Sequence, residues 1–107
     1  FESVIIENKE YKMYIVESVF SQAIGYRFRS PQDLEENEIM LFKFKNDNEY
    51  SFWMKNVYFP IKLCSVDFDF SSTNCIIMQP NRNEKHKISG NSIIEFPIFI
   101  NERFNNP

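Results

Sequence analysis

Apolar and polar residues alternate along most of this chain with the two-residue period of a strand, not the 3.6-residue period of a helix. "SVIIE" (residues 3–7) is a short β-branched run, "NKE" interrupts it, and "YKMYIVE" (residues 11–17) resumes the alternation. Two such runs around a short polar break predict a hairpin. "SVFSQAIGY" departs from the pattern. Ser18 is placed to cap a short helix over residues 18–24, and Gly25 to end it in the left-handed conformation. "SPQDLEEN" predicts one helical turn over residues 31–36, with Ser30 as cap, Pro31 as first helical residue and Asp33 as the capping-box acid.

Strand character then dominates. "IMLFKF" (39–44) and "YSFWMK" (50–55) flank the polar "KNDNE", a second hairpin signal. "IKLCSVDFDF" (61–70) is a long strand pattern that "SSTN" turns back into "CIIMQ" (75–79). "PNRNEKHKISGN" reads as a polar loop, and "SIIEFPIFI" as one or two final strands with Pro97 as a bulge or break. Seven or eight short strands with one or two short helices predict a mainly β fold, a single small barrel or sandwich. No composition shift or internal repeat divides residues 1–107, so one domain is expected. The alternation places Met40, Phe42, Phe52, Met54, Leu63 and Ile94 in the core.

Composition sharpens this picture. With 107 residues the chain buries only a modest share of its surface, and its 12 Phe, within 17% aromatic residues, let each buried position contribute much apolar area. The net charge is −3 and no basic patch appears, so no nucleic-acid partner is expected. "RNEKHK" mixes both signs and reads as solvated loop, with His86 inside it. No apolar run approaches the ~18 residues of a membrane span. One His and two Cys supply no zinc set, and the acidic run Glu35, Glu36, Glu38 organises too few oxygens for calcium. Ser21, Ser51 and Ser65 lack a nucleophile-elbow context. No metal, cofactor or catalytic set is expected, which leans away from an enzyme. Cys64 and Cys75 form a bridge only in a register that sets them opposite. With the turn at "SSTN", Cys64 falls near Ile76 or Ile77 and Cys75 near Ser65 or Val66, so reduced, buried thiols are expected.

The densest chemistry lies in "SFWMKNVYFP". On a strand, Phe52 and Met54 point to one face, and Trp53 and Lys55 to the other. An indole and an ammonium side by side, with the Asn56 amide at the strand end, make a platform for a sugar, a carboxylate or a partner's strand. The plainer reading has Trp53 at the core edge and Asn56 bonding backbone in a turn before Pro60. Arg29 either pairs with Glu95 or Glu36 to hold loops together, or grips an anionic ligand bidentately.

"GYRFRS", "IMLFKF", "SFWMKNVYFPI" and "SIIEFP", in this order and spacing, resemble the family called domain of unknown function 192, also uncharacterised protein family 0127. The resemblance runs over about residues 11–97. Tyr26 and Arg27 stand where that family usually has Leu-Met, Ile39 where it has Gly, Lys62 where it has Asp, and Pro97-Ile98 where it has small residues. The resemblance implies a small, mostly β protein reached by a secretion signal or anchor, hence an extracytoplasmic location, and implies no activity. A start at Phe1 rather than Met fits a processed or trimmed N-terminus. An oxidising compartment pushes against reduced cysteines.

Two functions are therefore expected. The first is a non-enzymatic binding or accessory module that meets a protein partner or small polar ligand through an aromatic strand face or sheet edge. The second is a carbohydrate-binding domain or enzyme with a cleft lined by Trp53, Lys55, Asn56 and Arg29. A concave pocket holding all four favours the second, and a flat aromatic face the first.

Overall fold

The computed structural model describes residues 1–98, and of residues 19–21 the backbone only. β1 (Glu2–Ile6) and β2 (Lys9–Val16) form the first hairpin. Its two-residue turn, Glu7-Asn8, has φ of 51° and 66°, the left-handed pair that matches strand twist. A short helix α1 (Val19–Ile24) follows, and Gly25 ends it at φ 49°. A single 3₁₀ turn spans Pro31–Asp33, with Pro31 at its start as expected. The Ser30 hydroxyl bonds the Asp33 carboxylate at 2.9 Å rather than capping a backbone N–H.

The fold is mainly β. β3 (Glu38–Trp53), β4 (Ile61–Val66), β5 (Ser72–Met78) and β6 (Lys85–Pro97) complete one six-stranded sheet in the order β1-β2-β3-β6-β4-β5. Only β2 and β3 pair in parallel, and α1 and the 3₁₀ turn lie in the connection between them. Among the described residues the sheet is not closed into a barrel: β1 pairs only with β2, and β5 only with β4. Residues 99 and 100, part of the last expected strand, lie outside the described residues; Pro97 is the last residue of β6.

An expected hairpin turn and an expected loop are corrected. "KNDNE" is not a turn: β3 runs through it, with a register shift against β6 between Lys43 and Asn48. The polar "loop" is largely strand, since Lys85 to Gly90 pair with Asn48 to Trp53. Both stretches are polar because they face solvent, not because they turn. Gly90 makes their course possible. A Cβ there would lie 2.3 Å from Ser65 Oγ, and its φ of +152° is unusual for other residues. Six strands result among the described residues, where seven or eight were expected over the chain.

The third correction concerns the cysteines. The β4–β5 turn closes earlier than expected, with Asp67 N donating to Ser71 O and Phe70 N to Asp67 O. Cys64 therefore pairs directly with Cys75, and the two form a disulfide with Cα atoms 4.2 Å apart. "SSTN" is β5 strand from Ser72 onward.

Both faces of the sheet carry apolar clusters, as the parity of neighbouring residues shows. Phe42, Leu63 and Ile93 belong to one, and Leu41, Cys64 and Ile94 to the other. Tyr26, Leu34, Met54, Val57 and Phe59, from connections, cover the first cluster. The second is made chiefly by the sheet itself, whose curl brings Ile6 and Met13 together with Cys64 and Val66. Phe42, Phe52, Met54, Leu63 and Ile94 are buried as expected, whereas Met40 is half-buried against the first cluster.

Candidate functional site

The sequence places β-branched and aromatic residues through β3 and β6, and pairing these strands builds one wall of a cleft of about 370 Å3. The end of α1 and the segment Gly25-Tyr26-Arg27 form the facing wall. Buried Phe42, Phe52, Val57 and Tyr26 make the inner surface. Phe44 and Tyr50 continue it outward as a stacked pair with ring centroids 3.7 Å apart. Exposed Trp53 and Lys85 and half-buried Arg27 and Gln22 stand at the mouth.

Glu95 of β6 lies at the inner end. It is only 5% exposed, and its Oε1 has no hydrogen-bond partner. Met40 and Leu63 are its cross-strand neighbours, so β3 and β4 offer it apolar company. Gly25 comes close enough that an added Cβ would lie 3.5 Å from Oε1. Burial raises the Glu95 pKa to about 8, which keeps the carboxyl neutral at neutral pH. Tyr26 beside it keeps its phenolic proton well above the usual range, through burial first and then the charges of Glu38 and Glu95.

The mouth is cationic. Arg27 Cζ, Lys55 Nζ and Lys85 Nζ lie 5.5, 5.4 and 5.7 Å from the Trp53 ring centroid. None of the three has an acidic partner among the described residues. Arg27 Nε is buried without a hydrogen bond. The Trp53 indole N–H donates to Asn83 O at 2.9 Å, which fixes the ring.

The four residues singled out from sequence separate. Trp53 lines the cleft and Lys55 flanks it. Asn56 is a turn residue at φ 64°: its carbonyl accepts from Phe28 N at 2.7 Å, and its N–H donates to Asn81 Oδ1 at 3.2 Å. Arg29 lies outside the cleft lining and pairs bidentately with buried Glu38 at 2.7 and 3.2 Å, not with Glu36 or Glu95. It also donates to Asp33 O at 3.2 Å and lies over the Tyr26 ring, 5.6 Å from its centroid. Glu35 takes Lys12 and Tyr14, so two members of the acidic run are engaged in pairs. No cluster of metal-ligating side chains occurs among the described residues. His86 is not in a loop: it pairs with Phe52 on β6, half-buried.

Glu95, Arg27 and Lys85 are the cleft residues that sequence reasoning passed over. Lys85 was hidden because its strand is polar, yet it sits directly across from Trp53. Glu95 carried a signal: an acid inside Ile93-Ile94-Glu95-Phe96 has no solvent face when both sheet faces are covered.

Comparison with known proteins adds fold and family. The family model described as "Uncharacterized ACR", domain of unknown function 192, matches residues 3–100. No curated protein matches the chain. Two solved structures are similar. One, from Sinorhizobium meliloti 1021 and described as a "putative transcription regulator", is 16% identical with a TM-score of 0.74, covering 89% of this chain and 77% of that one. The other, a protein of unknown function from Novosphingobium aromaticivorans DSM 12444, is 19% identical with a TM-score of 0.73, covering 98% and 77%. At these identities the likeness shows the fold alone.

Proposed function

The chain belongs to the domain of unknown function 192 family, which brings no activity with it, so we propose a function from the cleft: a non-enzymatic module that binds a small polar ligand beside Trp53. One observation carries this reading. The buried Glu95 carboxyl at the inner end of an aromatic cleft has one oxygen, Oε1, that meets no hydrogen-bond partner among the described residues. Such a group costs stability unless a ligand meets it. We place the protein outside the cytoplasm, and the Cys64–Cys75 bridge supports that placement.

Trp53 is the only tryptophan, so its emission reports the cleft directly. A panel of small sugars, organic acids and amides titrated into the protein should give at least one saturable emission change. Matching shifts of the Trp53 indole and Gly25 amide NMR signals should accompany it. If every compound leaves both signals unmoved, the cleft reading fails.

A second reading, an enzyme with Glu95 as general acid, is favoured by its pKa near the operating range. Glu95→Gln separates the two. A binding module keeps its affinity at neutral pH, whereas a general acid loses turnover while ligand still binds.

A further inference from the structure

The cleft is chemically lopsided: cations without ion-pair partners at its mouth, apolar rings along its walls, and deeper a Glu95 Oε1 and a Tyr26 hydroxyl that meet no hydrogen-bond partner among the described residues. We propose that it takes a small organic acid with an apolar ring, its carboxylate held between Arg27 and Lys85 and a carbonyl at its far end bonded by Glu95. This inference rests on the cleft-binding reading and names its ligand class.

Each end is argued separately. At the mouth, Arg27 carries a buried Nε with no acceptor, and Arg is suited to planar, bidentate pairing with a carboxylate. Lys85, set across from Trp53, adds a second positive charge on the same ring. Neither cation forms an ion pair among the described residues, so an anionic group there neutralises charge instead of displacing a partner. A cationic ligand meets repulsion at the same place.

At the inner end, Glu95 has only apolar cross-strand neighbours, Met40 and Leu63. The titratable groups that line the cleft with it are Tyr26, from the connection after α1, Tyr50 of β3, and Arg27 and Lys85 toward the mouth. A carboxyl buried among such neighbours stays protonated at neutral pH and so donates an O–H hydrogen bond. Its complement is an acceptor, such as a carbonyl. Between the ends, Phe42, Phe44, Phe52 and Val57 make much of the wall apolar. A sugar would set several of its hydroxyls against these apolar walls, whereas a ring with one substituent at each end sets its apolar body there. The cleft volume of about 370 Å3 suits a ligand of that size.

The test uses 4-acetylbenzoate, its neutral counterpart 4-acetylbenzamide, benzoate without the acetyl carbonyl, and galactose. Binding is followed through Trp53 emission and the Trp53 and Gly25 NMR signals. The acid is expected to bind about tenfold or more tightly than the amide, and benzoate to fall between or below. Arg27→Gln should weaken the acid about tenfold while changing the amide less than about twofold. Between about pH 6.5 and pH 9, the wild-type affinity for 4-acetylbenzoate should fall, because ionised Glu95 no longer donates. In Glu95→Gln, which keeps an N–H donor, affinity should stay flat over the same range. Equal affinity for acid and amide, an Arg27→Gln effect common to both, or binding of galactose alone would overturn the proposed ligand class and leave the cleft reading standing. No signal change with any of the four compounds overturns the class and counts against the cleft as well.

Discussion

Burial acts on Glu95 with nothing to offset it. Its pKa in the fold is about 8, against an ordinary 4.5. The sign follows from linkage. Below about pH 4.5 the carboxyl is neutral in folded and unfolded chains alike, and its contribution is intact. As pH rises toward 8, the unfolded chain ionises while the fold resists, so stability is lost through that window. The loss is expected to reach roughly 3–5 kcal/mol. Glu95→Gln removes the titration. The melting temperature of wild type should therefore fall from about pH 5 to pH 9 relative to the variant, and parallel profiles would show that Glu95 ionises freely. Arg29 behaves differently. Its guanidinium is partly exposed, while Glu38 is buried and receives both of its nitrogens. Arg29→Met leaves that carboxylate with the Glu35 N–H, which donates to its Oε1 at 3.2 Å. A loss of about 2–4 kcal/mol in urea unfolding is expected. Trp53→Ala, by contrast, removes a ring 38% exposed and one hydrogen bond, so about 1–2 kcal/mol is expected. A larger drop in the melting temperature of that variant would make Trp53 a core residue.

At the scale of elements, alternation was legible wherever one residue in two is apolar. β1, β2, β4 and the apolar halves of β3 and β6 follow from it, and so does the burial of Phe42, Phe52, Met54, Leu63 and Ile94. The failures share a cause. Where strand β3 leaves the apolar clusters at Lys45 to Glu49, both sequence faces turn polar, and polarity in a strand looks like polarity in a turn. The same holds for β6 from Lys85 to Lys87. Pairing across the sheet, which no local pattern encodes, keeps both stretches extended. The site suffered for it: Trp53 was legible alone, but its partner Lys85 was assigned to a loop. Arg29 was legible as a charged clamp, but its acid was not, since Glu38 becomes buried only once β2 and β3 pair. Gly90 gives this scale its own test. A Cβ there must move Ser65 Oγ, which itself donates to Ser89 O at 2.7 Å. Gly90→Ala is expected to cost about 1–3 kcal/mol. Ser65→Ala in the same chain should recover part of that loss, because it removes the atom nearest the new methyl, while the backbone strain at Gly90 remains. A double variant no better than Gly90→Ala alone would locate the whole cost in the backbone.

For the molecule as a whole, an unclosed sheet means unequal anchoring. β3 and β6 sit in the middle and pair with each other over most of their lengths, and each has a second neighbour. β5 has β4 on one side and no strand of the described residues on the other. Much of its outer surface is exposed, Ile77 included. An edge strand held by one neighbour opens at lower free energy than the centre. The Cys64–Cys75 bridge is placed against that opening, since it ties the exposed strand to a fully buried residue of β4. It closes a loop with a sequence separation of 11, for which the chain-entropy estimate is about 3 kcal/mol. Alkylation of the unreduced, denatured protein should label neither thiol. After reduction, hydrogen exchange should quicken first in β5 and the adjoining turn, while amides of β3 and β6 that exchange through global opening lose about 3 kcal/mol of protection at most. The cleft lies on the β3–β6 side, away from this edge, so ligand binding should survive reduction. Uniform loss of protection across all six strands, with loss of binding, would mean instead that the bridge supports the fold as one cooperative unit.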